Sequence, residues 1–279
     1  MNKEEEQIII NLYLSGLSAQ KVANKVNRSK NGVLYVLNKN NINTSNRKYD
    51  LRRHSVNDDF FNTIDCQEKA YILGLLMADG NVLDDYTIQI TLQIRDEHIL
   101  QKISELIEST YPLYYSKNKK YCTLRFMSKK ITQDLAKYNI VPRKSLILEP
   151  PNIPSHLYRH LVRGYFDGDG SIYLDKKINQ YRIHFVGTKS VLSDFIDKMN
   201  WRKHKIRRAK KNNVFTFRLE YGGNILVSNM LNTLYKDSTI HFKRKYEKYL
   251  DCLRLKEEKE QTKKQIWMNN LGSYIRNDI

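Results

Sequence analysis

Two stretches of the chain share one hydrophobic pattern, an apolar helical run that ends on an aspartate and a glycine. They are YILGLLMADG, from Tyr71 to Gly80, and LVRGYFDGDG, from Leu161 to Gly170. The closing glycines are natural left-handed helix caps. After each run, the spacing of apolar residues predicts a strand, a helix and a second strand in the same order, and a basic segment with Arg143-Lys144 or Arg244-Lys245 follows. Such an ordered series indicates a duplication, with one repeat over residues 60–150 and a second over residues 151–256.

Alternating apolar and polar residues mark the predicted strands. In YTIQITLQI, isoleucine and leucine side chains would face one side, and threonine and glutamine side chains the other. YCTLRFM, QYRIHF and VFTFRLE alternate in the same way. Threonine, glutamine, arginine and histidine are suited to reading base edges in a major groove. The polar faces therefore predict DNA contacts by Thr87, Gln89, Thr91, Thr123, Arg125, Arg182, His184, Thr216 and Arg218.

Residues 1–43 predict a separate all-helical unit. Apolar residues recur there at helical spacing, and Ser18 and Ser29 are placed to cap the second and third helices. Three short helices in a basic chain resemble a helix-turn-helix, whose last helix would offer Ser29, Lys30 and Asn31 to DNA. A plain three-helix docking module is the alternative. A basic linker at residues 44–59 follows this unit, and residues 257–279 form a charged C-terminal tail.

The net charge of the chain indicates which class of partner it binds. It has 48 Lys and Arg against 30 Asp and Glu, a net charge of +18, and 19 tyrosines. A chain that basic favours a polyanion, with nucleic acid ahead of a membrane surface. Its three widely spaced cysteines suggest neither a disulfide framework nor a zinc cluster. The cysteine pattern therefore predicts a reduced, intracellular protein. No apolar segment reaches the ~18 residues of a membrane span, so we expect no membrane partner.

Small residues spaced by four lie on both repeated helices. The pairs are Gly74 with Ala78, and Gly164 with Gly168. This spacing lets two helix backbones approach closely, which would bring the acids at the helix ends, Asp79 and Asp169, side by side. Two carboxylates at helix C-termini are unfavourable with the helix dipoles and with each other, and a divalent cation resolves the conflict. Oxygen-only ligands point to Mg²⁺, whose shell scissile phosphates can complete.

ILGLLMADG and VRGYFDGDG resemble the paired signatures of the LAGLIDADG homing endonucleases in their single-chain form, and the similarity covers roughly residues 60–255. The resemblance implies an α+β fold, in which two pseudo-symmetric αββαββα repeats form a DNA-binding β-saddle after a small all-α helix-turn-helix domain. It implies that Asp79 and Asp169 bind two or three catalytic Mg²⁺ ions, assisted by backbone carbonyls at Ala78 and Gly168. The matching basic residues of the two active sites are Lys144 and Lys245.

The two repeats differ at two positions of the implied site. Gln93 lies where some members of the family place a polar residue that orients water, but the second repeat has Phe185 or Val186 there. Met77 replaces the inner acid of the first signature, whereas Asp167 keeps it in the second. Because one signature lacks this acid, we expect it not to be essential to catalysis.

The implied activity is metal-dependent hydrolysis of DNA at a long, asymmetric target. Each acid would serve one strand, so that a monomer makes a double-strand break. Two other functions use the same fold. A maturase would assist the splicing of intron RNA, and the sequence separates it poorly from the nuclease. A transcription regulator would bind DNA without cutting it, usually after losing the two acids that this chain keeps.

Overall fold

The computed structural model describes residues 3–15, 17–42, 44, 54–209 and 216–276, with side chains up to residue 267. The chain divides into two compact units, Met1–Ser55 and Val56–Ile279. Most of the predicted linker, residues 45–53, lies outside the described residues. The predicted tail is the end of one long helix, Lys243–Arg276. Within the described residues, no helix combines the length and the apolar character that crossing a membrane requires.

Among its described residues, the N-terminal unit contains three short helices, α1 (Lys3–Leu14), α2 (Ala19–Lys25) and α3 (Lys30–Lys39). Ser18 Oγ accepts a hydrogen bond from the Lys21 amide at 3.3 Å, and Ser29 Oγ accepts one from the Gly32 amide at 3.1 Å. Both predicted caps are therefore confirmed, and each satisfies an amide that the first helical turn leaves without a partner. The helices enclose a small core of Ile9, Tyr13, Val22, Ala23, Val33, Val36 and Leu37.

The second unit contains two copies of one element order, αββαββα. The first copy is α4 (Gln67–Asp79), β1 (Gly80–Val82), β2 (Thr87–Gln93), α5 (Glu97–Leu106), β3 (Leu113–Tyr115), β4 (Tyr121–Met127) and α6 (Lys129–Ala136). The second copy is α7 (Tyr158–Asp169), β5 (Gly170–Asp175), β6 (Gln180–Gly187), α8 (Lys189–Lys198), β7 (Arg207–Arg208), β8 (Phe217–Gly222) and α9 (Asn224–Tyr235). The long helix, α10, follows. The predicted α+β fold is confirmed.

In the part of the chain that the structure describes, each repeat forms one antiparallel sheet of four strands. The strand orders are β1-β2-β4-β3 and β5-β6-β8-β7, which are the same arrangement. Period-2 alternation explains why one face of each sheet is buried: Ile88, Ile90 and Leu92 of β2 are at most 4% exposed. One hydrophobic core runs through both repeats. Helices α4 and α7 pass through its centre, so the apolar runs that define the repeats form a shared seam.

Close approach of two glycines makes the seam possible. A Cβ atom on Gly74 would lie 2.0 Å from the Leu161 carbonyl oxygen, and one on Gly164 would lie 1.9 Å from the Tyr71 carbonyl oxygen. Real Cβ atoms do not come that near to backbone oxygens, so each helix backbone rests directly against the other. The predicted packing of small residues at the seam is confirmed.

The prediction of left-handed glycine caps at the ends of α4 and α7 is wrong. Gly80 has φ −77° and Gly170 has φ −96°, both extended, because each helix passes directly into the first strand of its repeat. Crowding explains the glycines instead. A Cβ on Gly80 would lie 2.5 Å from the Leu76 carbonyl oxygen, and one on Gly170 would lie 2.1 Å from the Phe166 ring.

A histidine and an arginine are buried together on α7. Arg163 is 0% exposed and His160 is 5% exposed, and Arg163 Nη1 lies 2.6 Å from His160 Nδ1. Burial, with a smaller effect of the Arg163 charge, lowers the pKa of His160 to about 4. Because Arg163 is a donor, His160 Nδ1 accepts this bond in the neutral imidazole. Protonating His160 would place two positive charges in contact inside the core.

We expect this pair to destabilise the protein in acid. The pKa of His160 in the folded chain, about 4, lies below its unfolded value near 6.5. The stability that neutral His160 contributes is therefore complete above pH ~6.5 and is lost as the pH falls toward ~4. Relative to His160→Asn, which keeps an acceptor but does not titrate, the wild type should lose roughly 2 kcal/mol of unfolding free energy over this window. Urea unfolding of both proteins at several pH values measures the difference; parallel pH profiles would contradict the prediction.

Candidate active site and nucleic-acid interface

The two repeated acids meet at one end of the helix seam. Helix α4 ends at Asp79 and α7 ends at Asp169. Near these ends, a Cβ on Gly168 would lie 2.4 Å from the Ala78 Cβ and 3.0 Å from the Asp79 Oδ2. Because Gly168 has no side chain, the Asp79 carboxylate lies directly against the last turn of α7. The structure thus brings together the two acids and the two residues that precede them.

Burial disfavours the charged form of both acids. Burial raises the pKa of Asp79, and the charges of Lys245 and Lys144 partly counteract that rise. Burial and the nearby charge of Asp79 raise the pKa of Asp169 to about 6. Asp169 still reaches solvent, so its surroundings are those of a cleft rather than of a closed core. Two partly desolvated carboxylates that repel each other favour a bound cation.

Both predicted lysines lie at this cleft. Lys144 is 5% exposed and its Nζ donates to the Gly80 carbonyl oxygen. Lys245 is 3% exposed and its Nζ donates to the carbonyl oxygens of Asp167 at 2.8 Å and Gly170 at 2.6 Å. Burial lowers the pKa of Lys144, and it lowers the pKa of Lys245 to about 8. The charges of Asp79 and Asp169 act on both lysines in the opposite direction.

The arginines that precede the lysines are not equivalent, although the sequence aligns them. Arg244 contacts buried Asp96 in the first repeat, with Nε 3.0 Å from Oδ2. Arg143 is in the left-handed conformation, with φ 60°, and its side chain is 90% exposed beside Asp84. The lysines therefore match across the repeats, but the supports that hold them differ.

The donor atoms at the acid pair suit a hard cation. Among the residues that the structure describes, no group of three or more His, Cys, Asp and Glu could hold a metal ion. The available protein ligands are the two carboxylates and the carbonyl oxygens of Ala78 and Gly168, which belong to last helical turns and have no partner within their helices. Mg²⁺ is typically bound by one or two carboxylates together with substrate phosphates. The residues present fit such an ion.

Gln93 does not lie with the acids. The strand partner of Gly80 is Ile90, and Gln93 is three residues farther along β2, opposite Tyr121. Three residues of strand span roughly 10 Å, and Gln93 is exposed beside Lys119 and Lys120. The expected position in the active site is therefore not observed, because the register of β2 carries this side chain away from the helix ends.

Other polar residues lie nearer the acids, and the sequence did not single out two of them. Asn81 follows Gly80 and pairs with Gln89, and Ser171 follows Gly170 and pairs with His184. His184 Nδ1 is buried and has no hydrogen-bond partner among the described residues. The strand register places these two pairs equivalently in the two repeats. No local sequence pattern marks Asn81 or Ser171, because their position depends on pairing with a second strand.

The polar face of the first sheet forms aligned rows. Gln89 pairs with Arg125, and Thr91 pairs with Thr123, whose hydroxyl oxygen is 2.9 Å from that of Thr91. Arg125 and Thr91 are exposed, and Gln89 and Thr123 are half-buried. Thr87 is different. It is 3% exposed at the start of β2, so its predicted DNA contact is wrong: tertiary packing covers the end of a strand that alternation alone leaves open.

The polar face of the second sheet is more highly charged. Arg182 contacts Glu220 at 3.2 Å and Asp175 at 3.3 Å, and Arg218 lies 3.8 Å from Glu220. His184 Nε2 lies 3.4 Å from Arg218. The role of Glu220 between two arginines was not predicted, since the sequence shows only that it belongs to the same face. Thr216 precedes β8 and its carbonyl oxygen accepts from the Ala209 amide at 2.8 Å.

Basic residues flank this second face. A cavity of about 380 Å³ is lined by Arg182, His204, Lys205, Arg207, Arg208, Ala209, Arg218, Glu220, Tyr221 and Gly222. Seven of these ten carry basic or acidic side chains, counting His204 and Glu220. An open, polar and mainly cationic depression at the end of strands suits phosphate groups rather than an apolar ligand.

Of the three predicted DNA-binding residues of the N-terminal unit, one forms a helix cap and two are exposed. The Ser29 hydroxyl is occupied as the cap of α3, whereas Lys30 and Asn31 are exposed. The same helix also exposes Tyr35, at 69%, and Asn38. These residues recur one or two turns after Asn31, so α3 presents a polar face with a single aromatic ring at its centre.

Comparisons with known proteins agree with this architecture. No protein-family model matches the sequence, and a search of curated proteins found no match. Among solved structures, the LAGLIDADG homing endonuclease I-GzeII in complex with its DNA target has a TM-score of 0.52 and 16% identity, covering 69% of this chain and 91% of its own. The meganuclease I-SmaMI bound to uncleaveable DNA has a TM-score of 0.51 and 12% identity, covering 72% and 92%. The chain has the two-repeat fold of the LAGLIDADG homing endonucleases.

Proposed function

We propose that this protein is a site-specific DNA endonuclease that cuts both strands by metal-dependent phosphodiester hydrolysis. The observation that carries the proposal is the pair of acids, Asp79 and Asp169, flanked by two buried lysines at the end of the helix seam. Each repeat also contributes one sheet with a polar face, and the first strand of each sheet follows directly after one of the two acids. The two structural neighbours are described as complexes with DNA, and a net charge of +18 favours the same partner.

The acids would hold the cation and the lysines would act on the reacting phosphate. When bound, Mg²⁺ supplies Lewis-acid polarisation of the scissile phosphate and increases the acidity of water. Asp79 and Asp169 offer one carboxylate for each strand, with the carbonyl oxygens of Ala78 and Gly168 next to them. Lys144 and Lys245 are held by carbonyl oxygens that precede or follow the acids. Their ammonium groups can stabilise negative charge that develops on phosphate oxygens.

The sheets would supply recognition of a long and asymmetric target. The first face offers uncharged hydroxyl and amide groups with one arginine, Arg125, whereas the second offers two arginines, a histidine and a carboxylate. Because these groups prefer different bases, the two halves of the target should differ in sequence. One chain carries both repeats, so a monomer suffices for both strands.

The alternatives differ in what happens after binding. A DNA-binding regulator of this fold has no use for two adjoining acids with two adjacent buried lysines, which makes this the weaker alternative. A maturase could use the same basic surfaces to bind intron RNA. Exposed Lys30, Asn31 and Tyr35 of the N-terminal unit fit contacts with either nucleic acid.

The proposal predicts Mg²⁺-dependent cutting of one specific duplex. The substrate is DNA that joins the sequences flanking this gene without any insertion, incubated with the full chain and Mg²⁺ or with EDTA. We expect a double-strand break at one position with Mg²⁺ only. Tight binding of DNA that stays intact would favour the regulator, and stimulation of RNA splicing without DNA cutting would favour the maturase.

A further inference from the structure

A buried acid on α7 joins three groups from outside that helix. Asp167 is 0% exposed, and its carboxylate accepts hydrogen bonds from the Tyr71 hydroxyl at 2.8 Å and the Tyr235 hydroxyl at 2.6 Å. The backbone amide of Phe242 donates to it at 2.8 Å. A buried carboxylate with three donors is well satisfied. Its side chain points to the segment after α9 and not to the cleft where the scissile phosphate would bind.

Arg163, one turn earlier on α7, holds the same segment. Its guanidinium donates to the carbonyl oxygens of Leu234 at 3.0 Å and Ile240 at 3.1 Å. Asp167 and Arg163 therefore fix residues 234–242 at both ends by backbone and hydroxyl contacts. A planar guanidinium with several donors is suited to such a clamp.

The clamped segment leads directly to Lys245. The Lys245 amide donates to the Phe242 carbonyl oxygen at 3.0 Å, so the residue anchored by Asp167 also begins the turn that carries the lysine. The Lys245 ammonium in turn donates to the carbonyl oxygen of Asp167. Any shift of Phe242 would move Lys245 relative to the acid pair.

The first repeat has no corresponding clamp. Counting back from the motif acids, Met77 occupies the position of Asp167 and Leu73 the position of Arg163, and both are buried. Lys144, the counterpart of Lys245, lies in a short 3₁₀ turn, Lys144–Leu146, that follows a left-handed, exposed arginine. The two lysines are thus held by different means.

We propose that Asp167, supported by Arg163, is a positioning residue that sets the place of Lys245 and thereby controls cleavage of one DNA strand only. The inference rests on the proposed nuclease function and deepens it. The first active site should then tolerate Met77 in place of the inner acid, because no inner acid positions Lys144. The inference assigns the inner acid of the second motif a role without contact to the reacting atoms.

Strand-resolved cleavage tests the proposal. The variant is Asp167→Asn, which keeps the volume but weakens acceptance of three donors, and the matched control is Met77→Leu at the equivalent position of the first repeat. Lys245→Gln identifies the strand that Lys245 serves. A misplacement on the order of 1 Å can cost about 100-fold in rate, so Asp167→Asn should slow that strand by about 10-fold to 100-fold. The other strand should stay within about 3-fold, and Met77→Leu should leave both unchanged.

Two further measurements apply if Asp167→Asn fails to fold or cuts neither strand. Tyr235→Phe removes one hydrogen bond to Asp167 with little change in packing. It should produce the same strand preference in weaker form, and it can replace Asp167→Asn as the test. Hydrogen exchange at the Phe242 and Lys245 amides should accelerate in either variant, and this readout needs no nuclease activity.

The outcomes separate the two claims. Equal slowing of both strands, or unchanged exchange at Phe242 and Lys245, would overturn the positioning role. A wild type that cuts neither strand would instead overturn the nuclease function, while accelerated exchange at these two amides would still support the clamp on the Lys245 segment.

Discussion

Replacing either motif acid by asparagine, Asp79→Asn or Asp169→Asn, is expected to abolish the double-strand break while DNA binding survives. Each change keeps the shape of the side chain but removes a charge from a pair of carboxylates that favour a cation. The loss of metal-assisted stabilisation amounts to several kcal/mol, so the rate of double-strand cleavage should fall by about 1,000-fold or more. Binding should stay equal or tighten, because a negative charge that faces phosphates has been removed.

The measurement compares cleavage in Mg²⁺ with binding in EDTA for each variant. Asp84→Asn is the matched control, since this aspartate follows the first motif closely but its side chain is 81% exposed. We expect the control to cut like the wild type. Full activity of Asp79→Asn would remove this acid from the mechanism, whereas parallel loss of binding and cutting would indicate damage to the fold.

A single methyl group at the helix seam should be strongly destabilising. Gly164→Ala would place its Cβ 1.9 Å from the Tyr71 carbonyl oxygen. The two helices must then separate, which opens the core that both repeats share. Overpacking of this kind costs about 3 kcal/mol or more where backbone atoms block the new group. Alanine is otherwise favoured over glycine in a helix by about 1 kcal/mol, so a net loss of unfolding free energy is diagnostic of the seam.

Gly222→Ala provides the comparison for this variant. A Cβ there would meet the Arg182 side chain at 3.5 Å, an ordinary contact. Urea unfolding should show a large drop in midpoint for Gly164→Ala and a shift below about 0.5 kcal/mol for Gly222→Ala. If Gly164→Ala unfolds like the wild type, the helices do not pack as closely as the structure shows.

Local sequence patterns predicted the close helix seam and the buried face of the sheet. The four-residue spacing at Gly74 and Gly164 reports directly on a helix surface, because residues i and i+4 lie on one face. Period-2 alternation in β2 likewise identified its buried face. The duplication supported one strand on each side of a helix in each copy, whereas the full αββαββα order was implied by the family resemblance.

Strand register is the first feature that the sequence could not supply. Gly80 pairs with Ile90 and Gly170 pairs with Phe185, so Gln93 corresponds to Thr188 rather than to Phe185 or Val186. An error of two or three residues in aligning the strands moved Gln93 into the predicted active site. Pairing between strands is a contact distant in sequence, and the alternation of side chains is the same for every register that differs by two residues.

Burial of charged groups is the second such feature. Arg163 and Asp167 lie on an apparently ordinary motif helix, yet both are completely buried. Several of their partners come from the segment around Leu234 and Phe242, about 70 residues later in the chain, and Tyr71 comes from the first repeat. Composition predicts exposure for arginine and aspartate, and only the paired tertiary contacts reverse that expectation.

Strand-resolved cleavage by the wild-type chain tests whether this protein cuts both strands of DNA. A duplex that the protein binds tightly is labelled at the 5′ end of each strand in turn. It is then incubated with the protein and Mg²⁺ or EDTA. We expect one break in each strand in Mg²⁺ and intact strands in EDTA. Duplex that is bound tightly in Mg²⁺ and remains whole on both strands would contradict this prediction.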